Sequence, residues 1–245
     1  MALSRRRERL LRALRDRKGR VREGRVLVEG PRAVRTAIAA GARVDFVVVG
    51  ESGEAIPGLD TVVLSDAELE DFADTESPQG ILAVVREPEA TLPEDPRRIL
   101  VLDRVQDPGN AGTLIRSAVA LGVDRVVVLD GSVDPWNPKA VRASAGEAFR
   151  VPIHRMTWED FQAWCPLPLL VADGGGTDVR TLAVGRRWAL LVGNEGAGPR
   201  AEALERADHV VALPLRGGVE SLNAAMAGSI LLWALGPGMD RPDDA

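Results

Sequence analysis

Short runs of branched apolar residues recur along this chain, and most are followed by a turn and then by a helical pattern. This alternation constrains the fold more than any other feature. Successive strands that each hand over to a helix imply an α/β protein with mostly parallel sheets covered by helices. In the first half, strands are expected at 26–29, 44–49, 62–64 and 79–85, with helices at 33–40 and 65–72. In the second half, strands are expected at 99–102, 125–129, 151–154, 169–172, 189–192 and 209–213, with helices at 111–121, 138–143, 199–206 and 221–235. Between the halves, residues 86–97 hold Pro88, Pro93 and Pro96 with four acids and almost no apolar side chain, which reads as a linker. The expected organisation is a basic arm over 1–24, a small α/β domain over 25–86, a linker over 87–97, a second domain over 98–237 and a polar tail over 238–245.

The charge is distributed unevenly. Residues 1–25 carry eleven Lys/Arg against three acids, whereas the rest of the chain carries 20 basic and 33 acidic residues. A cationic segment on an acidic body is a phosphate-seeking feature, and RNA is the partner it suggests. The competing reading is a solvated helix that buries Leu10, Leu11 and Leu14. No apolar run is long enough to span a membrane: 224–235 is short and broken by Gly228 and Ser229. The Arg-rich start is not followed by an apolar segment, so no secretory signal is expected. Cys165 is the one cysteine, and His154 and His209 are the two histidines, too few for an internal disulfide or a closed zinc site. A cytoplasmic protein with no metal and no membrane partner is expected.

In parallel α/β sheets ligands bind beyond the carboxyl ends of the strands, and three such loops stand out. The first runs from Asp103 through Pro108-Gly109-Asn110 into a helix that carries Arg116 among Leu114, Ile115, Ala118 and Val119. Asn110 alone could be a helix cap, but a cation in so apolar a helix calls for an anionic partner. The second is Gly193-Asn194-Glu195-Gly196-Ala197-Gly198-Pro199. Its spacing is not that of a dinucleotide fingerprint, and an acid inside it disfavours a polyphosphate. The third, Leu213 to Asn223, contains Gly217-Gly218 and ends in Ser221-Leu222-Asn223, where Ser221 could cap the last helix. His154, His209 and Cys165 read as structural residues, and Asp173-Gly174-Gly175-Gly176 as a flexible turn. Trp136 is open to two readings, a stacking platform for a base or a packing residue.

Together the three loops resemble the SpoU (TrmH) family of SPOUT RNA methyltransferases. Its motifs stand here as Asn110 with Arg116, Gly193-Asn194-Glu195-Gly196, and Ser221-Leu222-Asn223. The segment Pro138 to Gly146 is also similar to the family, and the first domain resembles the ribosomal-protein L30e-like domain that precedes many members. The one departure is Ala224-Ala225 where Val-Ser is usual. The resemblance implies a C-terminal parallel-sheet SPOUT domain with a deep trefoil knot, preceded by a small L30e-like α/β substrate-binding domain, and a homodimer. It implies S-adenosylmethionine as cofactor, held at Gly193, Asn194, Gly196, Leu213, Gly218 and Leu222. It implies Arg116, Asn110, Glu195, Ser221 and Asn223 as the catalytic set, and methyl transfer to a ribose 2′-hydroxyl in RNA, foremost 23S ribosomal RNA. A guanidinium stays protonated, so Arg116 is expected to hold a phosphate and stabilise alkoxide charge. Transfer RNA as substrate, methylation of a base nitrogen, and a non-catalytic RNA-binding ribosome-assembly factor are the alternatives.

Overall fold

A computed structural model describes residues 3–51, 53–75 and 77–236; the polar tail expected at 238–245 lies outside them. The first elements in chain order are α1 (Arg5–Leu14), α2 (Arg17–Glu23), β1 (Arg25–Glu29), α3 (Pro31–Ala39), β2 (Val44–Val49), β3 (Thr61–Val63), α4 (Asp66–Glu70) and β4 (Ile81–Arg86). Then come β5 (Arg98–Leu102), α5 (Pro108–Ala120), β6 (Arg125–Leu129), α6 (Pro138–Ala143), β7 (Ile153–Met156) and α7 (Trp158–Trp164). The last are β8 (Leu169–Asp178), β9 (Trp188–Val192), α8 (Ala201–Arg206), β10 (His209–Ala212) and α9 (Ala224–Leu235). The chain forms two compact units: Met1–Glu89 with Asp134–Arg150, and Ala90–Val133 with Val151–Ala245.

The N-terminal unit is built on a four-stranded sheet of order β1-β4-β2-β3. β4 runs antiparallel to both β1 and β2, and β3 parallel to β2. The basic segment is helical. Ser4 caps α1, Asp16 caps α2, and Gly24 closes α2 in the left-handed conformation at φ 60°. Leu11 and Leu14 are fully buried and join Leu27, Phe46, Val48, Leu69 and Leu82 in one core. α4 begins with a full capping box between Ser65 and Glu68.

Residues 134–150 are part of this unit, although they lie between β6 and β7. Arg20 donates through Nε (2.9 Å) and Nη2 (2.6 Å) to Asp134 Oδ2, and through Nη1 to the Leu14 and Arg15 carbonyls. Both partners are nearly sealed from water, at 2% and 5% exposure. A buried pair that loses one member leaves an uncompensated charge, so this contact constrains both segments. The buried Glu29 carboxylate accepts from the Asp74 N–H at 2.9 Å and lies 3.5 Å from Arg142. Trp136 is buried against Phe149, with ring centroids 5.1 Å apart, so it packs and offers no stacking face to a base.

The C-terminal unit is a six-stranded sheet of order β10-β8-β9-β5-β6-β7, parallel at every pairing. Its core gathers Ile99, Val101, Val127, Leu169, Val171 and Leu191 with Trp158 and Phe161. Each side chain of this size contributes about 1.5–3 kcal/mol on full burial.

Two features depart from the sequence reading. α7 occupies 158–164, where no helix was expected; Thr157 caps it, and Trp158 and Phe161 are buried. The glycine run after Ala172 is not a free connecting turn but a bulge within β8, which continues to Asp178. β10 pairs with Val171 at Val210 and then with Thr177 at Val211. Gly176 lies against the backbone there: a Cβ on it would stand 2.7 Å from the Val210 carbonyl carbon.

Candidate functional site

Because the sheet is parallel, the loops after β5, β8, β9 and β10 all leave from its carboxyl edge. β5 and β9 are paired up to Leu102 and Val192, so their loops start side by side. The fully buried Asp103 fastens them: it accepts from the Arg200 backbone N–H and from Arg200 Nε, both at 2.7 Å. Arg104 then adopts φ 57°, a conformation that costs a non-glycine residue about 1–3 kcal/mol. The turn makes its carbonyl an acceptor for Asn194 Nδ2 at 2.9 Å, and its guanidinium reaches the Gly198 carbonyl at 3.3 Å. Asn194 Oδ1 in turn accepts from the Gly196 and Ala197 N–H groups. Gly193 has no alternative, since a Cβ there would lie 2.3 Å from Pro199 N.

The motif residues meet in one hydrogen-bonded chain. Asn223, not Ser221, caps α9, accepting from Ala225 N and Met226 N at its Oδ1. With that oxygen engaged, its amide nitrogen donates to Asn110 Oδ1 at 3.0 Å. Asn110 then presents its own amide to Glu195 Oε1 at 3.0 Å. Asn110 lies inside α5, whose cap is Asp107. Glu195 also accepts from the Gln106 and Asp107 N–H groups, each at 3.0 Å. Burial pushes the Glu195 carboxyl up, but the Asn110 amide and the backbone donors outweigh it and hold the group below its ordinary value.

Two adjoining clefts flank this chain. The first, about 760 Å³ and open to solvent, is of ordinary size for a small-molecule site. Gly193, Asn194, Glu195, Leu213, Ser221 and Leu222 line it, with Asp173, Glu220 and Leu231. The second is lined by Gln106, Asp107, Asn110, Glu195, Ser221, Leu222 and Asn223. Ser221 belongs to both, and its hydroxyl makes no hydrogen bond to the described residues.

Three expected site residues stand apart. Gly196 and Gly218 are exposed and line neither cleft, Gly196 shaping the turn and Gly218 sitting at φ 73°. Arg116 is exposed on α5, lines neither cleft and pairs with no described residue. Asp173, Gln106, Asp107 and Glu220 are the polar lining residues that motif reading missed. The signal of the first three was position alone, just past the buried ends of β5 and of the 169–172 run; that of Glu220 was its place beside Ser221.

The profile of the SpoU rRNA Methylase family matches residues 97–233. The chain belongs to the SpoU family. A second profile, the MRM3-like substrate binding domain, matches residues 7–83, so the expected pair of a parallel-sheet methyltransferase unit and a small substrate-binding unit holds. Among relatives, the 23S rRNA (guanosine(2553)-2′-O)-methyltransferase RlmP of Bacillus subtilis is 35% identical over 236 residues, covering 91% of this SpoU chain and 92% of that protein. The AdoMet-bound rRNA methyltransferase of Sinorhizobium meliloti matches with a TM-score of 0.83 at 26% identity, over 96% of this chain and 95% of that one. The SpoU methyltransferase AviRb of Streptomyces viridochromogenes, in complex with AdoMet, matches with a TM-score of 0.80 at 27% identity, over 95% and 97%. Outside the SpoU site, His154 is buried on β7; burial, and then the charge of Arg125, holds it below the ordinary imidazole value. Burial pushes the Cys165 thiol up. Both line neither cleft and act as packing residues.

Proposed function

We propose that this chain transfers the methyl group of S-adenosylmethionine to a ribose 2′-hydroxyl of RNA, with 23S ribosomal RNA as the substrate. The observation that carries this is the Asn223–Asn110–Glu195 chain standing between two adjoining clefts. One cleft, lined by Gly174, Gly193 and Gly198 where backbone can approach a ligand closely, suits a nucleoside cofactor. The other offers amide and hydroxyl groups to a sugar. When bound, the cofactor supplies an electrophilic methyl. The chain's own part is to position the acceptor oxygen, which can account for much of the rate gain.

Within this reading the catalytic set is Arg116, Asn110, Glu195, Ser221 and Asn223. Glu195 orients Asn110, Asn110 and Asn223 fix the acceptor cleft, and the free Ser221 hydroxyl faces both ligands. The cofactor set is Gly193, Asn194, Leu213 and Leu222 at the cleft, with Gly196 and Gly218 shaping the loops around it.

The protein acts as a homodimer. α9 exposes Met226, Ile230 and Trp233, at 56%, 41% and 52%, along one side, a stripe suited to a second copy. Arg116 is on α5, the helix packed against α9, where it would meet a second copy and hold a substrate phosphate. The close approach of Gly176 to the Val210 backbone and the packing of α9 against α5 and β9 support a deep trefoil knot. The N-terminal unit is the substrate-binding module, with Arg5, Arg6 and Arg9 of α1 directed to RNA phosphates. No helix among the described residues is long and apolar enough to cross a membrane, and the setting proposed is the cytoplasm, with ribosomes as its target.

The test is incubation with methyl-labelled S-adenosylmethionine and separated ribosomal and transfer RNA, wild type beside Arg116→Ala. Label in 23S RNA that survives alkali as a dinucleotide, and that the variant fails to install, is the expected result. Label confined to transfer RNA, or to an alkali-labile nucleotide, would overturn it.

A further inference from the structure

Among the described residues lining the cofactor cleft, three carry charge: Asp173, Glu195 and Glu220. All are carboxylates, and no lysine, arginine or histidine lines it. This one-sided lining matches an asymmetry in the ligand pair. S-adenosylmethionine carries a sulfonium and an ammonium against one carboxylate, a net positive charge. Once the carbon–sulfur bond breaks and its electrons stay on sulfur, the product is a neutral thioether. S-adenosylhomocysteine therefore has no net charge.

The three carboxylates are not equivalent. Glu195 is saturated by Asn110 and two backbone donors, and Glu220 is exposed at the rim. Asp173 is half-buried. Its Oδ1 accepts from Gly175 N at 2.9 Å, which fixes the side chain. Its Oδ2 lies 3.8 Å from where a Cβ on Gly198 would be, towards the Gly193–Pro199 loop, with no described cation paired to it. An asparagine would make the same turn contact, so the turn alone does not call for a charge.

We propose that Asp173 is a specificity residue that favours the cationic cofactor over its neutral product, drawing in S-adenosylmethionine and easing release of S-adenosylhomocysteine. The proposal rests on S-adenosylmethionine being the cofactor, and its test separates the two claims. Dissociation constants of the full chain are measured calorimetrically for S-adenosylmethionine, S-adenosylhomocysteine and sinefungin, which bears an amine in place of the sulfonium. Asp173→Asn keeps the Oδ1 acceptor and removes only the charge. It is expected to weaken S-adenosylmethionine and sinefungin about tenfold and S-adenosylhomocysteine by less than about threefold. Asp173→Glu is expected to keep the wild-type preference. The ratio of constants within one variant is independent of its folded fraction. An unchanged ratio in Asp173→Asn, whether affinities fall together or not at all, would overturn the proposal. Wild-type protein that binds none of the three would overturn the cofactor assignment itself.

Discussion

Two polar networks of similar chemistry sit in the two units, and they do different work. In the N-terminal unit Arg20 and Asp134 are sealed from water and join residues 114 positions apart. In the C-terminal unit Asn223, Asn110 and Glu195 are linked through amide donors at 3.0 Å, at the edge of open clefts. A sealed pair stabilises a fold only while both members are present. An open network contributes little to stability, because water replaces its partners. Its value is the fixed direction of its donors. Stability and activity should therefore respond separately to mutation in the two places.

The largest effect should come from breaking the sealed pair. Arg20→Ala is expected to cost about 3–5 kcal/mol in urea unfolding followed on the N-terminal unit. Arg20→Met with Asp134→Leu should recover most of that, because no charge is left uncompensated. Equal destabilisation by the single and double changes would mean that packing, not charge, holds residues 134–150.

Next comes the open network. Glu195→Gln should lower kcat by about 10²–10³, the range seen when one positioned transition-state donor is removed, with the unfolding midpoint nearly unmoved. The ionised Glu195 accepts the network's donors, and its folded pKa is depressed from the ordinary 4.5. Whatever stability this gives is complete above about pH 5 and is lost as pH falls through the lower folded value. Methyl transfer should thus show no acid limb from Glu195 above about pH 5, as a pH–rate profile would reveal.

A smaller effect is expected at the cap. Asn223→Ser keeps an oxygen acceptor for α9 but removes the amide donor to Asn110, so helix stability should fall by less than about 1 kcal/mol while transfer falls further. Smallest in free energy are the α1 arginines. Changing Arg5, Arg6 and Arg9 to Gln should leave the unfolding midpoint within about 0.5 kcal/mol. The log–log salt slope of RNA binding should drop by roughly 0.7–0.9 for each phosphate that the variant no longer neutralises. An unchanged slope would remove α1 from the RNA-binding face.

The sequence disclosed the strand–helix alternation and the three loops because both depend on local pattern. Runs such as 99–102 and 189–192 are continuous and apolar, as strands buried on both faces must be. Features that depend on distant partners were hidden. Residues 134–150 belong with the N-terminal unit only because Asp134 meets Arg20 and Gly146 fits against Ala33, and no local pattern reports that. Asp173-Gly174-Gly175-Gly176 looks like a turn from composition, yet it is a bulge inside β8, held between Val171 and Thr177, which β10 pairs in succession. For the same reason Asp173 could not be seen as a lining residue. α7 did carry a signal, Thr157 capping with Asp160 three residues on and Trp158 three before Phe161, but seven residues are too short a window for helical periodicity to stand out.

The most direct test measures single-turnover methyl transfer and the urea midpoint on the same preparations of wild type and Asn110→Ala. Transfer lower by about 10²-fold or more, with a stability change within about 1 kcal/mol, is the predicted result. Transfer at the wild-type rate, or a stability loss as large as that of Arg20→Ala, would contradict the assignment of this open network to catalysis.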